Sequence, residues 1–184
     1  MAFSSIAQAG FLLIAVVALN QGALAAALFY FAIYGFATIG AFGVVTLVRD
    51  SAGEVTDVNR WVGLGKKSPI VATVFSLFLL SFAGIPLTAG FVGKFGLFTS
   101  AYVTGHDYLV IAGVLSSAIA VFFYARIILM LFLSDPIGDT AVSVVIPSIM
   151  TRIAIGACAV ITLLLGVWPS LLFNSAITFA QFLR

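Results

Sequence analysis

The sequence predicts an all-α polytopic membrane protein with five transmembrane helices, and three observations lead to this prediction. Hydrophobic residues make up 63% of the 184 residues and charged residues only 8%, whereas soluble domains carry about 25% charged residues. The mean hydropathy is +1.27. The apolar residues also form unbroken blocks long enough to cross a bilayer as helices, rather than the alternating pattern of a membrane β-barrel.

The charge and cysteine content exclude several classes of function. A net charge of +2, scattered along the chain, does not indicate nucleic-acid binding. Cys158 is the only cysteine, so the chain has neither a disulfide framework nor a thiolate metal cluster. The sequence also lacks a Ser-His-Asp arrangement, a phosphate-binding loop and His/Cys metal spacing. Membrane lipid and other membrane proteins are therefore the expected partners.

The apolar residues fall into five segments joined by polar turns. No shift of composition marks a second domain, so residues 1–184 are predicted to form a single transmembrane domain. Small residues in the second segment, such as Gly35 and Gly40, allow helices to approach closely in lipid. The segments are A (residues 3–19), B (23–48), C (69–103), D (108–133) and E (144–173), and residues 174–184 are expected to be interfacial.

A long polar stretch, residues 49–68, connects segments B and C. It contains four Lys/Arg residues, whereas the A–B and C–D turns contain none. Because positive residues favour the cytoplasmic side, this stretch and the start of the chain are predicted to be cytoplasmic, with the C-terminus on the opposite side. Trp61 is expected to anchor the stretch at the lipid interface. Ser68 and Pro69 have the N-cap and first-turn residue types of a helix start.

Segment C is too long to be one straight span. A continuous helix over residues 69–103 would be roughly 50 Å long, against a hydrocarbon core of about 30 Å. Proline removes a backbone donor and glycine lowers helix propensity. The third span is therefore predicted to break between Gly84 and Gly90, around Pro86.

Lys94 is the candidate functional residue, because a charge among apolar residues is costly in lipid. Desolvation disfavours the ammonium form, so a lysine facing a hydrated cavity can release and rebind a proton. Carbonyl groups freed at the helix break, together with Thr88, would hold water there. The alternative is a lysine that extends to the lipid interface. Composition alone does not decide between the two.

The other polar residues of the apolar segments are less informative. Tyr124 could hydrogen-bond a water chain, although an aromatic residue at the lipid interface is the commoner arrangement. Arg126 is expected to reach the interface, and His106 to be a solvated loop histidine. Asp135 and Asp139 are expected to be loop charges.

Several stretches resemble the antiporter-like membrane subunits of respiratory complex I. The most specific is residues 80–95, LSFAGIPLTAGFVGKF, which follows GLGKKSP at 63–69. Further support comes from AFSSIAQ at 2–8, GAFGVV at 40–45 and LGVWP at 165–169. Within the family the chain is most similar to the N-type subunits of bacterial NADH-quinone oxidoreductase. The M-type subunits carry glutamate at the position of Lys94, and segment B lacks the His/Lys pair of the M and L types.

The resemblance implies a fold of fourteen spans, of which this chain would hold the last five as a fragment of a longer subunit. Lys94 corresponds to the proton-carrying lysine of the family's broken helix, which favours the relay. The chain would have no cofactor of its own, since NADH, flavin, iron–sulfur clusters and quinone belong to the parent complex. Its partners would be the other membrane subunits in the bacterial inner membrane. Many relatives have histidine at the position of Gln8, which does not titrate.

Three functions remain to be distinguished. The first is a proton-translocating subunit of complex I that has no redox centre. The second is a subunit of a multi-subunit sodium/proton antiporter, which shares the lysine in a broken helix. The third is a structural membrane scaffold in which Lys94 pairs with a lipid phosphate.

Overall fold

A computed structural model describes residues 2–50, 53–55, 57–134 and 143–181 of the chain. These residues form mainly α-helices, as the composition predicted, with short strands in the connections. In chain order the elements are α1 (Ala2–Ala18), α2 (Gln21–Val45), β1 (Val48–Asp50), β2 (Gly53–Glu54), a 3-10 helix (Val58–Trp61), α3 (Leu64–Lys67), α4 (Pro69–Ala83), α5 (Ala89–Val103), α6 (Asp107–Phe132), β3 (Ser143–Val144), α7 (Ile149–Val167) and α8 (Ser170–Gln181).

Three of these helices, α2, α6 and α7, are long and apolar enough to cross a membrane. The helices α1, α4 and α8 are apolar but shorter. Many large apolar side chains on α6 and α7 are exposed, for example Phe122 at 73% and Ile153 at 65%. A protein in water rarely exposes so much apolar surface, so these faces suit lipid or partner helices. Asp135 and Asp139 lie outside the described residues.

The centre of the bundle is α2, which packs against α1, α4, α5, α7 and α8. The helix begins where the Asn20 side chain accepts a hydrogen bond from the amide of Ala23 at 2.7 Å. Residues 21 and 22, predicted to belong to the turn, are therefore helical. At Gly40 an added Cβ would lie 2.2 Å from Cζ of Phe78 on α4. This contact shows how a small residue allows α4 to approach the central helix.

Segment C contains two helices of 15 residues each, α4 and α5. Pro69 occupies the first position of α4 as predicted, but the Ser68 side chain makes no capping hydrogen bond. The helix ends at Gly84, whose φ of +78° is left-handed, a conformation that glycine adopts readily. Residues 84–88 connect the helices, and Gly90 lies in the first turn of α5.

Segment E also differs from its prediction, because residues 144–173 do not form a single helix. Helix α7 begins only at Ile149, where the Ser148 hydroxyl accepts a hydrogen bond from the amide of Thr151 at 3.3 Å. Trp168 and Pro169 separate it from α8. Proline cannot continue a helix and disfavours the helical conformation of the residue before it, which explains why α7 ends at Val167, before Trp168 and Pro169.

The described residues of the polar stretch between α2 and α4 form short strands and a 3-10 helix. Its strand β1 pairs antiparallel with β2 and with β3, which places Val48 opposite Val144. An ion pair joins Arg60 to Asp50. Trp61 is only 6% exposed, and its indole nitrogen donates to the carbonyl of Val55 at 3.1 Å. The expectation that Trp61 anchors at the lipid interface is therefore wrong, because the ring packs into the core beneath this stretch.

The close contact between α2 and α4 leads to a prediction about stability. We expect Gly40→Ala to lower the free energy of unfolding by about 1–3 kcal/mol, because the Phe78 ring is fully buried and has nowhere to move. Thermal unfolding of the detergent-solubilised protein would measure this loss. The matched control is Gly35→Ala on the same helix, where an added Cβ has no neighbour within 4 Å. Equal melting temperatures for the two variants would contradict the prediction.

Candidate functional site

The site is built around Lys94 in the second turn of α5. The residue is 3% exposed, and its ammonium group donates to the carbonyl of Phe82 at 2.8 Å and lies 3.4 Å from that of Ala83. These two residues end α4. Their carbonyls therefore lack the partners that a continuing helix would provide. The lysine thus supplies donors where the backbone has unpaired acceptors.

Two further helices complete the surroundings of the Lys94 ammonium group. The hydroxyl of Ser117 on α6 lies 3.4 Å from Nζ. The ring centroid of Phe11 on α1 lies 4.4 Å from Nζ, within the range of a cation–π interaction. Among the described residues, the two ion pairs lie in the polar stretch and neither includes Lys94. All the identified partners of this ammonium are therefore neutral, and its geometry does not fit a lysine that reaches a lipid phosphate.

Gly84 makes room for the lysine side chain. A Cβ at Gly84 would lie 3.0 Å from Cδ and 3.4 Å from Nζ of Lys94. The same residue adopts the left-handed conformation that ends α4. One glycine therefore both frees the carbonyl groups and leaves space for the amine that binds them.

Gln8 on α1 connects to the same carbonyl group. It is 1% exposed, and its amide nitrogen donates to the carbonyl of Phe82 at 3.2 Å. Its amide oxygen accepts a hydrogen bond from the hydroxyl of Tyr30 on α2. The Phe82 carbonyl thus receives hydrogen bonds from both Gln8 and Lys94.

Tyr124 lies beside this network. It is 3% exposed, its ring lies against that of Phe82 with centroids 6.0 Å apart, and its hydroxyl hydrogen-bonds with that of Ser4. The favoured expectation of an interfacial aromatic is therefore wrong. The ring is enclosed by the helices of this chain. The other alternative, a hydrogen bond from Tyr124 to a water chain, stays a prediction.

Thr88, the third predicted site residue, lies apart from this network. It is 4% exposed, and its hydroxyl donates to the carbonyl of Ile85 at 2.7 Å, within the connection between α4 and α5. That hydrogen bond satisfies a backbone group of the turn. The role of Thr88 in holding water stays a prediction.

A cavity of about 280 Å³ lies beside the network, beneath the polar stretch. Ser4 and Tyr124 line one part of it, and Trp61, Val55 and Val58 line the part formed by the stretch. The volume of this cavity is many times the ~30 Å³ that one water molecule occupies in the liquid. The cavity therefore brings water-sized space up to the Tyr124 hydroxyl.

Several of these polar contacts were missed in the sequence. Ser117 and Tyr124 are seven residues apart on α6, and Ser4 and Gln8 are four apart on α1. Both spacings place side chains on one face of a helix. A search for polar residues at helical spacing within apolar segments would have found these two faces. Tyr30 carries the same signal, because Tyr34 lies four residues further along α2.

Two other candidates lie away from the lysine. Arg126 is exposed on α6. His106 is half-buried before α6, with Nδ1 3.0 Å from the hydroxyl of Thr104. The described part of the chain contains no group of three His, Cys, Asp or Glu side chains able to hold a metal ion.

Comparisons with known proteins agree with this architecture. Residues 1–120 match the family model described as NADH:quinone oxidoreductase/Mrp antiporter, TM. A relative from Rhodococcus opacus (strain B4), named NADH-quinone oxidoreductase subunit N, is 52% identical over the whole chain and 34% of its own length. The protein of that name from Mycobacterium tuberculosis (strain H37Rv) is 46% identical over the whole chain and 35% of its own length. The chain spans about a third of the length of these relatives.

Solved structures show the same fold. A chain of the Mrp complex from Dietzia sp. DQ12-45-1b superposes with a TM-score of 0.77 at 24% identity, over 99% of this chain and 42% of that one. A chain of Thermus thermophilus respiratory complex I with bound NADH gives a TM-score of 0.77 at 21% identity, over 100% of this chain and 39% of that one. With the apolar helices described above, these matches establish that the chain is a multi-pass membrane protein of the NADH:quinone oxidoreductase/Mrp antiporter transmembrane family.

Proposed function

We propose that this chain is part of a proton-translocating membrane subunit of NADH-quinone oxidoreductase, in which Lys94 binds and releases the proton. One observation carries the proposal, namely that a buried lysine ends among the free carbonyl groups of an interrupted helix. The relatives named subunit N of this enzyme, 46–52% identical over the whole chain, support the assignment to complex I.

The neutral surroundings of Lys94 suit a group that changes its charge. Carbonyl oxygens, a hydroxyl and an aromatic face stabilise an ammonium ion less than a carboxylate does. A salt bridge would hold the proton on the lysine, because deprotonation would leave the partner charge buried and unpaired. With carbonyl partners, the neutral amine still donates its two remaining hydrogens to the same oxygens. Both protonation states are thus accessible without rearrangement of the helices.

The hydrogen-bonded groups next to Lys94 provide a route for the proton. It runs from the cavity beneath the polar stretch to Ser4 and Tyr124, then past Gln8 on the same helix as Ser4, and on to the lysine at the Phe82 carbonyl. Hydroxyl groups both donate and accept hydrogen bonds. Gln8 does not titrate, so it orients its neighbours while the proton passes through hydroxyl groups and water. The four Lys/Arg of residues 49–68 favour the cytoplasmic side for this stretch. The cavity beneath it would then take up protons from the cytoplasm.

The proposal extends to the architecture. Helices α4 and α5 would together form one broken span, since each is only about 22 Å long. The chain would then contain five spans in a single transmembrane domain, 1–184, as the last part of a fourteen-helix subunit, with Thr88 within the break. The other membrane subunits would be its partners. NADH oxidation, and the flavin, iron–sulfur clusters and quinone, would belong to the rest of the complex, which would drive each proton against ~2.3 kcal/mol per 100 mV.

A second function, sodium/proton antiport, is favoured by the family description, which includes Mrp antiporters. The identity to proteins named subunit N favours complex I. Transport in sealed vesicles separates the two. Proton pumping that requires NADH supports complex I, whereas sodium efflux driven by a pH gradient without NADH supports the antiporter.

The first prediction about proton pumping concerns Lys94 itself. We expect Lys94→Ala and Lys94→Arg both to lower NADH-driven proton pumping at least about tenfold, since a proton-transfer group commonly contributes ~10²–10⁴-fold. Arginine keeps the charge but does not release its proton. The measurement is vesicle acidification per NADH oxidised. NADH oxidation with an artificial electron acceptor should persist and would report that the complex is assembled.

Lys67→Ala, at an exposed position of α3, is the control and should pump normally. Full pumping by Lys94→Arg would contradict the relay, because a fixed positive charge would then be sufficient.

The second prediction concerns the space that Gly84 leaves for the lysine. Gly84 and Gly105 have φ values of +78° and +79°, but an added Cβ at Gly105 has no neighbour within 4 Å. Alanine at either position carries a similar backbone strain of about 1–3 kcal/mol. We expect Gly84→Ala to lower pumping severalfold more than Gly105→Ala, because only the former displaces Lys94. A similar loss of pumping in both variants would show that backbone strain, and not displacement of Lys94, causes the loss.

The third prediction tests the route through Tyr124. Tyr124→Phe removes the hydroxyl that hydrogen-bonds with Ser4 while it keeps the ring against Phe82. We expect pumping to fall about tenfold or more, with normal NADH oxidation by the artificial-acceptor assay. Tyr108→Phe, 64% exposed on the same helix, is the matched control.

Access from the cytoplasmic side can be tested at Val58, which lines the cavity. A membrane-impermeant thiol reagent added from the cytoplasmic side should react with Val58→Cys and lower pumping. If the Val58→Cys variant reacted only with reagent added from the opposite side, the cavity would open to that side and the proposed direction of proton uptake would be wrong.

A further inference from the structure

A second cavity, distinct from the one beside Tyr124, opens between the end of α2 and the starts of α4 and α7. Its volume is about 600 Å³, within the ~300–1,000 Å³ of ligand pockets in general. We propose that this groove binds an anionic phospholipid, with an acyl chain along the apolar wall and the phosphate on Arg152. The proposal goes beyond proton transfer, because none of the groove residues belongs to the route to Lys94.

The wall of the groove suits a hydrocarbon chain. Val44 and Leu47 of the α2 end, Val71 and Val74 of α4, and Ile155 of α7 line it. Ile70 and Ile146 also line it and are 79% and 82% exposed. Large apolar side chains that remain this exposed beside an apolar cavity favour a surrounding of lipid over one of water.

Arg152 supplies a positive charge in the groove that no other described residue balances. Its Nε donates to the carbonyl of Pro147 at 3.2 Å, which orients the guanidinium group. Neither ion pair of the described residues includes Arg152. Its terminal nitrogens make no hydrogen bond within the described part of the chain, and a guanidinium fork matches the oxygens of a phosphate.

The start of α4 adds neutral donors to the same groove. Ser68 and Pro69 line it, and the Ser68 hydroxyl makes no capping hydrogen bond. The amides of Ile70 and Val71 lie in the first turn, where no helical carbonyl is available to them. The positive end of the helix dipole adds to this preference for an anion. A cation, a hydroxyl and helix-start amides thus belong to residues that line the same apolar groove.

An anionic lipid fits these features better than a soluble anion does. The apolar wall requires a hydrocarbon partner, and the single cation at its edge requires one negative headgroup. Arg152 lies near the start of α7, and Ser68 ends the basic stretch, so the groove is at the membrane side whose leaflet carries anionic lipid.

Photocrosslinking of the assembled protein tests the proposal. The probes are phosphatidylglycerol and phosphatidylcholine that carry the same diazirine-labelled acyl chain, in nanodiscs of otherwise equal composition. We expect the phosphatidylglycerol probe to label the α4 and α7 peptides about tenfold more strongly than the phosphatidylcholine probe, a ratio that corresponds to about 1.4 kcal/mol. Arg152→Gln should lower phosphatidylglycerol labelling to the phosphatidylcholine level. Arg126→Gln, an exposed arginine on α6, should leave it unchanged.

A second variant tests the apolar part separately. Gly156 lines the groove, and an added Cβ there has no neighbour within 4 Å, so Gly156→Leu should fill the space and lower labelling by both probes. Gly10→Leu, at an equally open position on α1, is its control. Equal labelling by the two probes, or unchanged labelling in Arg152→Gln, would overturn the headgroup assignment. Absence of groove labelling in the assembled wild-type protein would show that a protein segment occupies the groove and would overturn the proposal.

Discussion

The structure depends on the contact between the Lys94 ammonium group and the last carbonyls of α4. A continuous helix would consume these carbonyls in its own hydrogen bonds and leave the buried ammonium without acceptors. A broken helix without the lysine would leave the carbonyls unpaired in an apolar environment, at a cost of several kcal/mol each. The break and the charge therefore offset each other's cost. Gly84 makes the arrangement possible, because a side chain there would occupy the space of the lysine.

The same contact explains why the neighbouring helices are arranged as they are. The central helix α2 brings Tyr30 to Gln8, α1 brings Gln8 to the Phe82 carbonyl, and α6 brings Ser117 to the lysine. Each of these helices also contributes apolar residues to the core. Polar contacts are thus placed at helix crossings, where they are shielded from lipid and where close packing holds them in register.

Much of the helical framework could be predicted from the sequence because apolar length and proline act locally. Helices α1 and α6 agree with segments A and D to within about a residue, and α4 begins at Pro69. The surroundings of Tyr124 and Trp61 could not be predicted, because burial depends on which helix lies opposite. The strand pair between Val48 and Val144 joins residues far apart in sequence. Lys94 stands out in sequence as an isolated charge, whereas its partners are backbone carbonyls that no residue type reveals.

The identified partners of the Lys94 ammonium group are all neutral, so the energy of this charge responds to distant charges. An ammonium next to a carboxylate forms a compact dipole whose field falls off quickly, but a lone charge interacts over a longer range. At an effective dielectric constant of about 20, a unit charge 10 Å away changes its energy by about 1.7 kcal/mol, which corresponds to more than a tenfold change in proton occupancy. If Lys94 exchanges a proton as proposed, a charge that arrives in a neighbouring helix or subunit would expel or recruit this proton without touching the lysine. Remote electrostatic control of such a site would be physically sufficient, because the ion pairs of the described residues do not include Lys94.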